Sequence, residues 1–90
     1  MSGHVFHPGH SELHGITVVL ESAAALYIGR YHEETSQGVL LHDVAEHRAP
    51  EGRAEFVRQT LKFGVRAQHP NVLIPSGDVR RVVRLVDWGE

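Results

Sequence analysis

Apolar residues in this chain come in five short runs, at 16–20, 25–31, 39–44, 72–74 and 79–86, each bounded by polar or Gly- and Pro-containing stretches. Runs of this length, rich in Val, Ile, Leu and Tyr, read as strands. Their number and brevity point to a mostly β fold, a small five-stranded barrel, in a single domain. Alternation assigns the faces. Ile16, Val18 and Leu20 share one side of the first run, and Thr17, Val19 and Glu21 the other, so this strand is apolar on both sides and fits a position covered twice. Leu26, Ile28 and Arg30 alternate with Ala25, Tyr27, Gly29 and Tyr31, and a glycine inside a strand marks a bulge or a tight bend. Val39, Leu41 and Asp43 then oppose Leu40, His42 and Val44. The short polar links at 21–24 and 32–38 make these three strands a meander. After the Pro75-Ser76-Gly77-Asp78 turn, Val79, Arg81, Val83 and Leu85 oppose Arg80, Val82, Arg84 and Val86.

Between the third and fourth runs, the polar stretch 46–52 ends in Ala49-Pro50-Glu51-Gly52. A helix is expected over residues 53–63. Pro50 and Glu51 stand near its start, Glu55 in its first turn, Arg58 and Lys62 late, and Gly64 where a C-terminal cap belongs. Ala54, Val57 and Leu61 form the stripe expected to be buried, which leaves Phe56 and Phe63 on the other side. A competing strand signal exists, because Leu61, Phe63, Val65 and Ala67 alternate with Lys62, Gly64, Arg66 and Gln68. The agreement of the end signals favours helix as far as Phe63. The expected organisation is a His-rich arm over 1–14, one small barrel domain over 15–86, and a tail over 87–90.

A chain of 90 residues buries a modest share of its surface, so self-association is expected to supply core that one copy lacks. With 41% hydrophobic and 22% charged residues, the composition is that of a globular protein rather than a disordered one. No apolar run approaches the roughly 20 residues of a membrane-spanning helix, and residues 1–14 lack the basic and apolar regions of a secretory signal. A cytoplasmic location is the default expectation. There is no cysteine, which removes disulfides, thiolate metal sites and thiol nucleophiles together. The net charge of -2, with histidines neutral, is the wrong sign for strong nonspecific nucleic-acid binding. Eight histidines would carry that charge from -2 to +6 if all were protonated.

The order of elements resembles the Sm-like (Lsm-type) barrel family. The residues carrying the resemblance are Tyr27-Ile28-Gly29, then Leu41-His42-Asp43, then Val72-Leu73-Ile74-Pro75-Ser76-Gly77-Asp78-Val79. The resemblance implies a ring of subunits, in which the fourth strand of one pairs with the fifth of the next, and single-stranded RNA bound near the pore. The chain departs from the family at the nucleotide pocket. The family's first pocket loop carries Asp and Asn, where this chain has Glu34-Thr35-Ser36-Gln37-Gly38; its second carries Arg-Gly, where this chain has Pro75-Ser76-Gly77. Proline cannot supply a guanidinium to stack on and hydrogen-bond a base. Gln37, Ser76 and Gly77 are the positions that would inherit pocket roles.

Three constellations carry chemistry. Arg80, Arg81 and Arg84, with Arg66 and Arg30, form a basic set in which Arg80 and Arg84 are expected on one strand face. Such a face binds phosphate, or simply guards an edge strand against aggregation. His4, His7, His10 and His14, spaced three, three and four apart, offer imidazoles suited to zinc, nickel or copper. Pro8-Gly9 breaks the helix that would make them converge, so adventitious zinc or nickel is the alternative to a specific site and no cofactor is expected. His42 with Asp43, and Glu33 with Glu34, are the carboxylate and imidazole pairs, but no nucleophile elbow, Walker loop or dinucleotide fingerprint accompanies them. The chain therefore reads as a non-catalytic oligomeric binding or assembly module. Val72, Leu73 and Ile74 of one copy would meet Val79, Val82 and Val83 of the next, with Phe56 and Phe63 adding contact. Single-stranded RNA binding by a ring, and metal binding by the His-rich arm, are the alternatives.

Overall fold

The computed structural model describes residues 13–89. Strands β1 (Thr17–Ser22), β2 (Leu26–Glu34) and β3 (Gly38–His47) form the meander; helix α1 (Arg53–Phe63) follows, then β4 (His69–Pro75) and β5 (Val79–Arg84). A 3-10 turn at Ser76–Asp78 joins the last two strands, and a second, Leu85–Asp87, replaces the expected end of β5. All five strands make one antiparallel sheet in the order β4-β3-β2-β1-β5. The fold is mostly β with one inserted helix, as the pattern of short runs predicts. Among the described residues no helix is long and apolar enough to cross a membrane.

The buried side chains separate into two clusters, one on each face of the sheet. Val18 and Leu20 of β1, Tyr27 and Tyr31 of β2, Val39, Leu41 and Val44 of β3, and Ile74 of β4 form the first. No residue of α1 belongs to it. Leu13 and Ile16, ahead of β1, pack on this cluster, and Val79 and Val82 of β5 reach it as Ile74 does from the opposite edge. The ladders nonetheless pair no residue of β4 with β5 among the described residues. The second cluster, Val19, Leu26, Ile28 and Val57, is roofed by Phe56 of α1 and by Leu85 and Trp88 after β5. Strand β1 is thus covered on both faces, as its apolar residues at both parities imply.

Three irregularities shift the side-chain phase. Ile28 pairs with Ala45 and Arg30 with His42, so Asp43 and Val44 of β3 together oppose Gly29. Asp43 takes a left-handed φ of 53°, which short polar side chains tolerate. A Cβ on Gly29 would lie 2.9 Å from the His42 carbonyl oxygen, so the bulge and the glycine require each other. A second bulge leaves His32 outside the pairing of Tyr31 with Leu41 and Glu33 with Leu40. A third leaves Arg80 outside the pairing of Glu21 with Arg81 and Ser22 with Val79. The first corrects the expected faces of β3, since Val44 joins Val39 and Leu41 in one cluster. The third corrects β5: Val79 and Val82 share a cluster, while Val83 packs on the other.

The helix occupies the predicted span, with Gly52 and Gly64 at its ends, both at positive φ. The Phe56 N–H donates to the Gly52 carbonyl at 3.0 Å and the Gly64 N–H to that of Thr60 at 2.8 Å. Its buried side is rotated from the expected one. Val57 and Thr60 are buried and Phe56 packs on the second cluster, whereas Leu61 is 52% exposed. The Thr60 hydroxyl hides in this face by donating to the Phe56 carbonyl at 2.9 Å, so a polar residue takes the place that an apolar stripe assigned to Leu61. Glu21 of β1 ties both neighbours of the second cluster through ion pairs, with Arg53 of α1 at 3.6 Å and Arg81 of β5 at 3.5 Å.

Candidate functional site: two sheet edges and a row of histidines

The sheet ends in two strands that lack an outer partner among the described residues, β4 and β5. An antiparallel ladder uses every second residue's N–H and C=O, so each edge strand presents the others outward. Most of the side chains expected at an interface serve the chain's own core instead. Ile74 is 2% exposed; Val72, Val79 and Val82 pack on the first cluster, and Val83 and Phe56 on the second. Phe56 also stacks on the His47 ring, with centroids 5.1 Å apart. Leu73, 43% exposed, and Phe63, 64% exposed, are the two of this set that face outward. Phe63 rims an open groove of about 400 Å³ between α1 and β3, whose carboxylate, Glu46, is engaged by His69 at 3.0 Å and by Arg48.

The basic set is dispersed. Arg84 pairs with Asp87 at 2.6 Å. Arg81 pairs with Glu21 and lies 4.1 Å above the Trp88 ring, a cation–π contact that occupies its planar face. Arg30 pairs with Asp43. Arg80, at the bulge, makes no ion pair among the described residues and stands at the far end of β5 from Arg84. The turn residues do meet: the Ser76 N–H donates to the Gln37 carbonyl at 3.1 Å, which brings the β2–β3 turn, Gln37 included, against Ser76 and Gly77. His42 and Asp43 do not act on one another, since His42 bonds Asn71 while Asp43 bonds Arg30.

Of the arm histidines, His4, His7 and His10 lie outside the described residues. His14 lies within them, and it sits beside two histidines that spacing along the chain does not connect. The His14 and His32 ring centroids are 5.3 Å apart, and those of His32 and His42 4.3 Å. The His14 Nδ1–H donates to the His32 carbonyl at 2.6 Å. His42 Nδ1 bonds Oδ1 of Asn71, its register partner on β4. His32 and His42 fall ten residues apart in sequence; what joins them is the pairing of β2 with β3 and the bulge that frees His32. A search of the sequence for helical spacing does not find such a set, whereas aligning the meander strands would.

Comparison with family models, with curated proteins and with solved structures yields no match to this chain.

Proposed function

We propose that this protein is a non-catalytic assembly module of the small-barrel type, which self-associates by strand addition between β4 of one copy and β5 of the next. One observation carries the reading: a sheet whose two edge strands reach one core cluster but, among the described residues, do not pair with each other. Main-chain groups on such edges are satisfied by water or by another strand, and addition of a neighbouring edge supplies both hydrogen bonds and apolar contact. Joining unlike edges is a heterologous contact, which closes into a ring when the rotation allows. The strand order and the Sm-like resemblance support the same arrangement. Leu73 is the outward side chain on β4 best placed to contribute.

Native mass spectrometry on tag-free protein tests this. A closed oligomer is expected for the natural sequence, and monomer for Leu73→Lys, whose charge on an edge strand opposes pairing. A natural protein that stays monomeric at micromolar concentration overturns the proposal.

A second reading, single-stranded RNA binding, draws support from the Gln37–Ser76 contact and from Arg80. Its mark is an affinity that falls steeply with added salt and is lost in an Arg80→Ala/Arg84→Ala variant. Arg84 is held by Asp87 and Arg81 by Glu21 and Trp88, so fewer free guanidinium groups remain than the basic set suggests.

A further inference from the structure

We infer that His14, His32 and His42 form a binding site for a divalent transition-metal ion of the zinc, nickel or copper class. The inference does not rest on self-association and uses different residues. Three observations combine. The rings stand in a row, with His32 between the other two, at centroid separations of 5.3 and 4.3 Å. Each of the outer two is engaged through Nδ1 by an oxygen. A backbone carbonyl can only accept, so His14 donates from Nδ1 and Nε2 is the nitrogen left to a metal. His42 is likewise engaged at Nδ1, by the side-chain amide of Asn71, and its Nε2 is the remaining nitrogen. This is the arrangement by which metal-binding imidazoles are oriented, the far nitrogen donating to a carbonyl or amide oxygen while Nε2 faces the ion. The third observation is that the His32 ring makes no hydrogen bond among the described residues, although it sits between two oriented neighbours.

The surroundings suit a cation. Arg30 lies across from His42 in the β2–β3 ladder, but Asp43 neutralises it. Imidazole is a good ligand for these ions, at metal–nitrogen distances of about 2.0–2.1 Å. Among the described residues no three such side chains already converge on one point. The row is therefore an open ligand set, which closes when His32, released from the ladder by its bulge, turns about its side-chain bonds. Three imidazoles leave a fourth position to water.

The test is titration of metal-free, full-length protein with Zn2+ by calorimetry, and with Co2+ by the visible absorption of a tetrahedral complex. One ion per chain is expected. In NMR spectra the imidazole signals of His14, His32 and His42 should shift on adding Zn2+. Those of His47, bonded to the Glu51 carbonyl, and His69, bonded to Glu46, should not. His32→Gln and His42→Gln should each weaken binding by tenfold or more, and Asn71→Ala, which touches no metal, by about 10–100-fold, with the thermal midpoint of the apo protein unchanged. The His4→Ala/His7→Ala/His10→Ala variant should bind as the natural protein does. Absence of uptake overturns the inference. So does uptake lost in the triple arm variant, or uptake left intact by His32→Gln and His42→Gln, since either places the ion elsewhere.

Discussion

Gly38 begins β3 at a point where the last residues of β4 press against it. A Cβ there would stand 2.1 Å from the Ile74 carbonyl oxygen, a distance that no rotamer relieves because both sides are backbone. Gly38→Ala should cost about 3 kcal/mol, at the upper end of overpacking penalties, and chemical denaturation checks it. Glu55 offers the opposite case, a surface group whose effect is small but signed. Hydrogen bonds from Gln59 and Arg58, with the Arg58 charge, hold its carboxyl below the ordinary carboxylate range. A folded-state value below the unfolded one contributes stability at neutral pH that disappears as pH falls through the folded value. Glu55→Gln should therefore melt slightly earlier than the natural protein at pH 7, and the two melting points should merge in acid. At this scale much was legible: Gly29 as a bulge marker and Gly64 as a cap follow from what glycine alone permits. The histidine row was not, because it is made of residues 14, 32 and 42 and only strand pairing brings them together.

Helix α1 shows how an element can be located correctly and rotated wrongly. Its limits follow from Glu55, Lys62 and Gly64, signals that act along the axis. Its buried face depends on what lies beneath, and there Phe56, Val57 and Thr60 outcompete Ala54 and Leu61. The difference has a measurable consequence. Phe56→Ala should destabilise by about 2–3 kcal/mol, less than a fully enclosed Phe, while Leu61→Ala should stay within about 0.5 kcal/mol. Equal losses, read from denaturant midpoints, would restore the stripe that the spacing suggests. The strands repeat the lesson. Alternation assigns β1 and β2 correctly, then fails at Asp43 and at Arg80, where one extra residue reverses inside and outside for everything that follows. Deleting Asp43 would return β3 to strict alternation with Val44 still on the face of Val39 and Leu41.

For the whole molecule, the strand order and the two-sided core state more than composition does. Five short runs identify a mostly β fold, but the edges that carry the proposed assembly are defined by which strands remain unpaired, a property of the complete sheet. If association completes those edges, stability must depend on concentration, because the oligomer forms only from folded copies. The melting temperature of the natural protein should rise across a hundredfold range of concentration, and that of Leu73→Lys should not. A flat response in both would separate folding from association. One further consequence lies in the link between the edges. β4 and β5 sit at opposite ends of the sheet, yet the chain passes from one to the other through Ser76–Asp78 alone. Three residues reach about 10 Å even when fully stretched, and here they are wound into a turn. The two margins of the sheet are therefore tethered like the ends of a clasp, and neither can move away from the other by more than that short link allows.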